Sequence, residues 1–86
     1  MRVIFYRDFR KEYKKLNSSE QRRVIERLAL FREDSSNPIL NSHKLRGKYE
    51  GLSSINITGD LRAFYQHVKK DVALFILVDT HSNLYE

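Results

Sequence analysis

Three short stretches of this chain concentrate polar side chains that no packing pattern demands. They are His43-Lys44-Leu45-Arg46-Gly47-Lys48, Asp60-Leu61-Arg62, and Asp79-Thr80-His81-Ser82-Asn83-Leu84-Tyr85. Their residue types suit chemistry on a phosphate ester. An imidazole, which titrates near ~6.5 when free, can give or take a proton near neutral pH. A guanidinium grips phosphate through its planar fork. A carboxylate can accept a proton or a hydrogen bond. Each stretch also has an ordinary reading. The first, with three cations and no acid, is equally a solvated basic loop in which Gly47 permits close backbone approach. Asp60 beside Gly59 suits an Asx-type turn, or an ion pair with Arg62. Most histidines placed like His81, just past an apolar strand, are bystanders, and His67 near a hairpin turn is assigned no role.

Other chemistries lack their residues. The histidines at 43, 67 and 81 show no ligand spacing, no cysteine supplies a thiolate, and no two-histidine helix motif or calcium loop is present. There is no phosphate-cradling glycine loop and no nucleophile-elbow serine, and Ser82 beside His81 forms no triad by adjacency. No metal and no cofactor is expected.

The elements that must position these groups follow from periodicity. Val3-Ile4-Phe5-Tyr6 predicts an opening strand, and Asp8 offers an N-cap to a helix whose apolar stripe is Phe9, Tyr13 and Leu16. Arg10, Lys11, Lys14 and Lys15 occupy its other side. Ser18 and Gln21 form a capping-box signature for a second helix, with Val24, Ile25, Leu28 and Phe31 as its buried face. Pro38 excludes continuation of that helix. Ile55 and Ile57 alternate with Ser54, Asn56 and Thr58, predicting a strand with one dry face and one open face that carries Asn56. Gly59-Asp60 turns the chain into Leu61 to Val68. Lys69-Lys70-Asp71 turns it again into Val72 to Val78, apolar on both faces and therefore central. The result is a small α+β domain, β-α-α-β-β-β, with a helix hairpin on a mainly antiparallel, four-stranded twisted sheet.

Length and composition bound the class. Eighty-six residues make one domain, 1–86, near the lower end of what a single core stabilises. The absence of cysteine suits a reducing cytoplasm. The apolar run Val72 to Val78 is too short to span a bilayer, and the early charges do not resemble a signal peptide, so no membrane partner is expected. Sixteen Lys and Arg against eleven Asp and Glu give a net charge of +5. Residues 1–33 hold ten basic and five acidic groups, the remainder six of each. Such a surface suits RNA or an acidic protein segment, or it serves solubility alone.

Taken together, His43, Leu45, Gly47, Gly51, Ile57, Asp60, Tyr65 and the closing Thr80-His81-Ser82-Asn83-Leu84-Tyr85 resemble the YafQ branch of the RelE/ParE toxin superfamily. The motif likeness covers roughly the last half of the chain, and the element order covers all of it. The resemblance implies a RelE-like fold and a metal-independent endoribonuclease that cuts mRNA in the ribosomal A site. It also implies a type II toxin–antitoxin pair, in which a cognate antitoxin blocks the site. His43, Asp60, His81 and Tyr85 match the family's functional positions. Asn56 departs from it, standing where a second histidine is found, and cannot transfer a proton. On this reading His81 is the general acid, Asp60 or His43 the base, and Tyr85 stacks on or orients the RNA. Arg62, Lys44 and Arg46 hold phosphate. Lys48 and Asn56 join the RNA contacts, and Arg10, Lys11, Lys14 and Lys15 meet ribosomal RNA backbone. The competing readings are a ParE-like DNA gyrase inhibitor, a catalytically weak RNA-binding toxin homologue, and an unrelated basic α+β domain.

Overall fold

The computed structural model describes residues 1–85; Glu86, the last residue of the expected domain, lies outside the described residues. The chain runs β1 (Arg2–Phe5), α1 (Arg7–Lys15), α2 (Ser18–Glu33), β2 (His43–Lys44), β3 (Ser53–Asn56), β4 (Leu61–Lys69), β5 (Val72–Thr80) and α3 (His81–Tyr85). Short 3-10 turns occupy Pro38–Leu40 and Gly47–Tyr49. The α+β architecture, the helix pair and the mainly antiparallel sheet are as expected, but the sheet has five strands rather than four. Its order is β1-β5-β4-β3-β2. The additional strand, β2, is two residues long, pairing His43 with Ser54 and Lys44 with Ser53, which is too short to produce a readable alternation. The terminal helix, α3, is likewise an addition to the expected elements.

Helix starts come earlier than expected, by two residues in α1 and by one in α2, for reasons of local chemistry. Asp8 is not the N-cap of α1: the cap is Tyr6, which gives no side-chain bond, and Asp8 sits in the first turn, where a carboxylate favours the helix dipole. Helix α2 is capped by Asn17 instead of Ser18. Asn17 Oδ1 accepts from the Glu20 amide at 2.8 Å, and Glu20 Oε1 accepts from the Asn17 amide at 3.1 Å. Asparagine and serine cap about equally well, and the Asn17 frame brings an anionic glutamate to the third helical position. Gln21 is thereby released to donate to the Tyr13 carbonyl at 3.0 Å.

Strand β5 lies between β1, to which it is parallel, and β4, to which it is antiparallel, the central place its apolar composition predicts. Helices α1 and α2 cover one face of the sheet. There Phe9, Val24, Leu28 and Phe31 pack on Ile55, Ala63, Tyr65, Phe75 and Val78. Phe31 meets Tyr65 and Phe75 edge-on, with ring centroids 4.9 and 5.2 Å away. Ile25 does not belong to this core. It is 58% exposed, because it lies one residue, about 100° of helix, beyond Val24.

The opposite face is not open as expected. Leu45 and Leu84 are buried against Phe64, with Tyr49, Leu52 and Leu77 packed around them as a second, smaller core. An aperiodic loop supplies Leu45, Tyr49 and Leu52 and the C-terminal helix supplies Leu84, set on Phe64 of β4 and Leu77 of β5. Ser54 is consequently fully buried and Asn56 half-buried, so strand β3 is covered on both sides.

Candidate functional site: unpaired polar groups at the end of the sheet

The register places Asn56, Arg62 and Asp79 in one row across β3, β4 and β5. Directly opposed residues of antiparallel strands share a face, so all three lie on the face away from the helix pair. The chain folds to the same end twice more. The turn between β3 and β4 carries Asp60, and α3, which leaves the end of β5, carries His81. These two are joined through the backbone: the His81 amide donates to the Asp60 carbonyl at 2.8 Å.

The ordinary role considered for Asp60 is filled by another residue. Thr58 Oγ1 accepts from the amides of Asp60 at 3.2 Å and Leu61 at 2.9 Å, closing the turn. The Asp60 carboxylate is exposed and takes no hydrogen bond or ion pair with any described residue. Nor does Arg62 pair with it. The half-buried Arg62 guanidinium donates through Nη1 to the carbonyls of Thr58 at 2.8 Å and Leu61 at 3.2 Å. Its cross-strand neighbour Asp79 is engaged elsewhere, accepting from the Thr80 amide at 2.7 Å and Asn83 Nδ2 at 3.1 Å. Arg62 is thus oriented by backbone, and among the described residues no carboxylate neutralises it.

The closing motif divides into scaffold and display. Thr80 Oγ1 accepts from the Asn83 amide at 3.2 Å, capping α3, and Leu84 anchors it at 5% exposure. His81 and Tyr85, four residues apart on one helix face, remain exposed with ring centroids 4.6 Å apart. Tyr85 also lies edge-on to Phe64 at 5.9 Å. The tail therefore folds back onto the sheet.

Not every candidate gathers here. His43 lies on β2, at the far edge, about three strand spacings of ~4.8 Å from β5. Its Nδ1 donates to the Asn41 carbonyl at 2.8 Å, leaving Nε2 with a lone pair in the neutral ring. Lys44 alternates to the other side of β2, opposite Ser53. Arg46 is exposed, and the Lys48 ammonium lies 5.1 Å from the centre of the Tyr49 ring. Arg10, Lys11, Lys14 and Lys15 lie on α1, on the helix side of the sheet, separate from Asp60 and His81. Asn56 Oδ1 and Ser54 Oγ are buried without a hydrogen-bond partner. Among the described residues, no group of three His, Asp or Glu side chains converges as a metal site requires. No helix is long and apolar enough to cross a membrane.

Sequence reading misses Tyr49 and Thr58. Tyr49 has a visible signal, an aromatic residue inside a basic, glycine-flanked loop. Thr58 shows in the sequence only as part of the alternation in β3.

The helix side carries a second feature. Between α1, α2 and β1 runs an open apolar groove of about 510 Å³, floored by Phe5, Phe9, Val24 and Leu28 and rimmed by Arg10, Lys14 and Arg32. Exposed Ile25 stands on its wall.

The fold defined by this order of elements is that of the RelE-like toxins of toxin–antitoxin systems, in the YafQ form. Escherichia coli YafQ superposes with a TM-score of 0.81 over all of both chains at 14% identity. YafQ in the E. coli DinJ–YafQ toxin–antitoxin complex gives 0.77 at 15%, covering 98% of this chain and 96% of that one. A YoeB/ParE toxin from Agrobacterium tumefaciens gives 0.75 at 14%, covering 94% and 99%. No protein-family model and no curated protein sequence matches the chain.

Proposed function

We propose that this protein is the toxin of a type II toxin–antitoxin pair and a ribosome-dependent endoribonuclease that cleaves mRNA in the A site. The observation that carries the proposal is the convergence of Asp60, Arg62 and His81 at one end of the sheet, none with a charged partner among the described residues. Structural ion pairs satisfy one another; Arg62, oriented by backbone carbonyls, and the Asp60 and His81 side chains, which have no ion-pair partner among the described residues, are left for a ligand's charges.

The reaction assigned to them needs no added cofactor. A base removes the proton of the 2′-hydroxyl, whose oxygen then bonds to the adjacent phosphorus while the bond to the 5′-oxygen breaks. Asp60, beside His81, is better placed as base than His43 at the far edge. Arg62 holds the phosphate oxygens as charge builds on them, and His81 gives its proton to the departing 5′-oxygen. Tyr85, exposed beside His81, offers a face for a base. Arg46 and Lys48 extend the RNA surface along the same side, and Lys44 extends it around the sheet edge; Asn56, expected among these contacts, is half-buried with its Oδ1 turned away from solvent. On the other side, Lys11 and Lys15 suit ribosomal RNA backbone, while Arg10 and Lys14 border the groove.

The partner follows from the groove. An apolar floor under a rim of Arg10, Lys14 and Arg32 suits an amphipathic acidic segment, which is the contact assigned to the antitoxin. The reaction is tested by incubating the protein with defined mRNA, with and without ribosomes. New 5′ ends in A-site codons, formed only with ribosomes, support the reading. Intact RNA under both conditions overturns it and makes gyrase inhibition the next assay. Partner docking is tested by Ile25→Glu, which should leave folding unchanged and weaken antitoxin binding at least tenfold; undiminished binding places the antitoxin elsewhere.

A further inference from the structure

The loop between β2 and β3 coils tightly over the face that carries Arg62, with Gly47 and Gly51 at φ values of +68° and +95°. Those left-handed conformations favour glycine, although a Cβ at either position would meet nothing within 4 Å. The coil delivers Tyr49. Its ring packs edge-on to Phe64 at 4.8 Å and to Tyr85 at 6.1 Å. Its hydroxyl donates to the Leu84 carbonyl at 2.6 Å. That carbonyl belongs to the last turn of α3, where no intrahelical donor is available. At five residues, α3 is too short to sustain itself and must be held from outside. Its first turn is held by Thr80, Asp79 and the His81–Asp60 backbone bond. Its last turn is held by buried Leu84 and the Tyr49 hydroxyl.

The geometry points to Tyr49 as a positioning residue that latches α3 and so fixes the His81 imidazole relative to Asp60 and Arg62. Tyr49 acts through the Leu84 carbonyl and not on RNA. The consequence for cleavage rests on the nuclease reading; the latch does not.

The test compares the wild-type chain with Tyr49→Phe, which keeps the ring and loses the hydroxyl, by NMR. The His81 amide, which donates to Asp60, should exchange faster by on the order of 2- to 10-fold, the change that loss of one neutral hydrogen bond produces. Amides in the centre of β5 should not change. The ring protons of His81, beside the Tyr85 ring, should shift while those of His43 and His67 stay in place. In the cleavage assay kcat should fall by a similar factor with KM unchanged. Unchanged His81 exchange and ring signals would overturn the latch, as would equal acceleration in β5, which would mark a general loss of stability. Tyr49→Leu removes the ring as well and should loosen α3 further; if that variant does not fold, Tyr49→Phe still decides. A wild-type protein that cuts no RNA, paired with a loosened α3 in Tyr49→Phe, would sink the nuclease and uphold the latch.

Discussion

Arg62→Met removes a guanidinium that has two backbone acceptors and no carboxylate, so its effects on folding and on RNA should separate. Hydrogen bonds from charged donors contribute about 1.5–3 kcal/mol each when buried. Arg62 is only half-buried, and water can replace its donors at the two carbonyls in the variant. The charge it loses was not part of an ion pair, and methionine retains much of the apolar stem's packing. The net cost to stability should therefore be about 1 kcal/mol or less. Loss of an oriented donor at a phosphate in the transition state costs about 10²–10³-fold in turnover, or ~2.7–4 kcal/mol. Losing one phosphate contact should also flatten the dependence of log binding on log salt by about 0.7. Urea unfolding, cleavage kinetics and a salt series for RNA binding measure the three quantities. A stability loss of about 3 kcal/mol, the full value of a buried charged hydrogen bond, with no change in cleavage or salt slope would refute the reasoning and make Arg62 a structural residue.

Other outcomes follow from the packing. Phe31→Ala should cost about 3–5 kcal/mol by urea unfolding, because Phe31 is fully buried between Tyr65 and Phe75. Asn17→Ala should cost about 0.5–2 kcal/mol and Ser18→Ala only a few tenths, a contrast in thermal or urea midpoints that the opposite capping frame would reverse. Replacing Lys11 and Lys15 with alanine should flatten the salt dependence of ribosome binding without changing the folded fraction. An unchanged slope would remove α1 from the ribosome contact.

The parts of the fold that can be read in the sequence are those written in local periodicity. Phe9 and Tyr13 mark α1, Val24, Leu28 and Phe31 mark α2, and the apolar run after Asp71 marks a central strand. The second core cannot be read in this way. Leu45, Tyr49 and Leu52 lie in a loop, Leu84 in the closing helix, and only the folded sheet brings them to Phe64. Ser54 and Asn56 therefore look open in the sequence, and β2, which borders this region, escapes notice with them. Ile25 is misplaced because an apolar residue beside a core position has the same sequence signature whether it joins the core or walls a groove. At the site, residue type singles out Asp60, Arg62 and His81, and the β3–β4 turn, the strand register and the start of α3 bring them to one end. Whether Asp60 pairs with Arg62 or closes its own turn is not legible, because Thr58 and the backbone carbonyls that settle both points are anonymous in sequence.

The proposed nuclease is tested most directly by primer extension on a defined mRNA translated in a bacterial cell-free system, with wild-type protein and with His81→Ala. We expect ribosome-dependent cuts with the wild type and a loss of about 10²–10⁴-fold in the variant, while its circular dichroism and urea midpoint stay near those of the wild type. Undiminished cutting by a folded His81→Ala protein would contradict the assignment of His81, and RNA left intact by the wild type would contradict the nuclease itself.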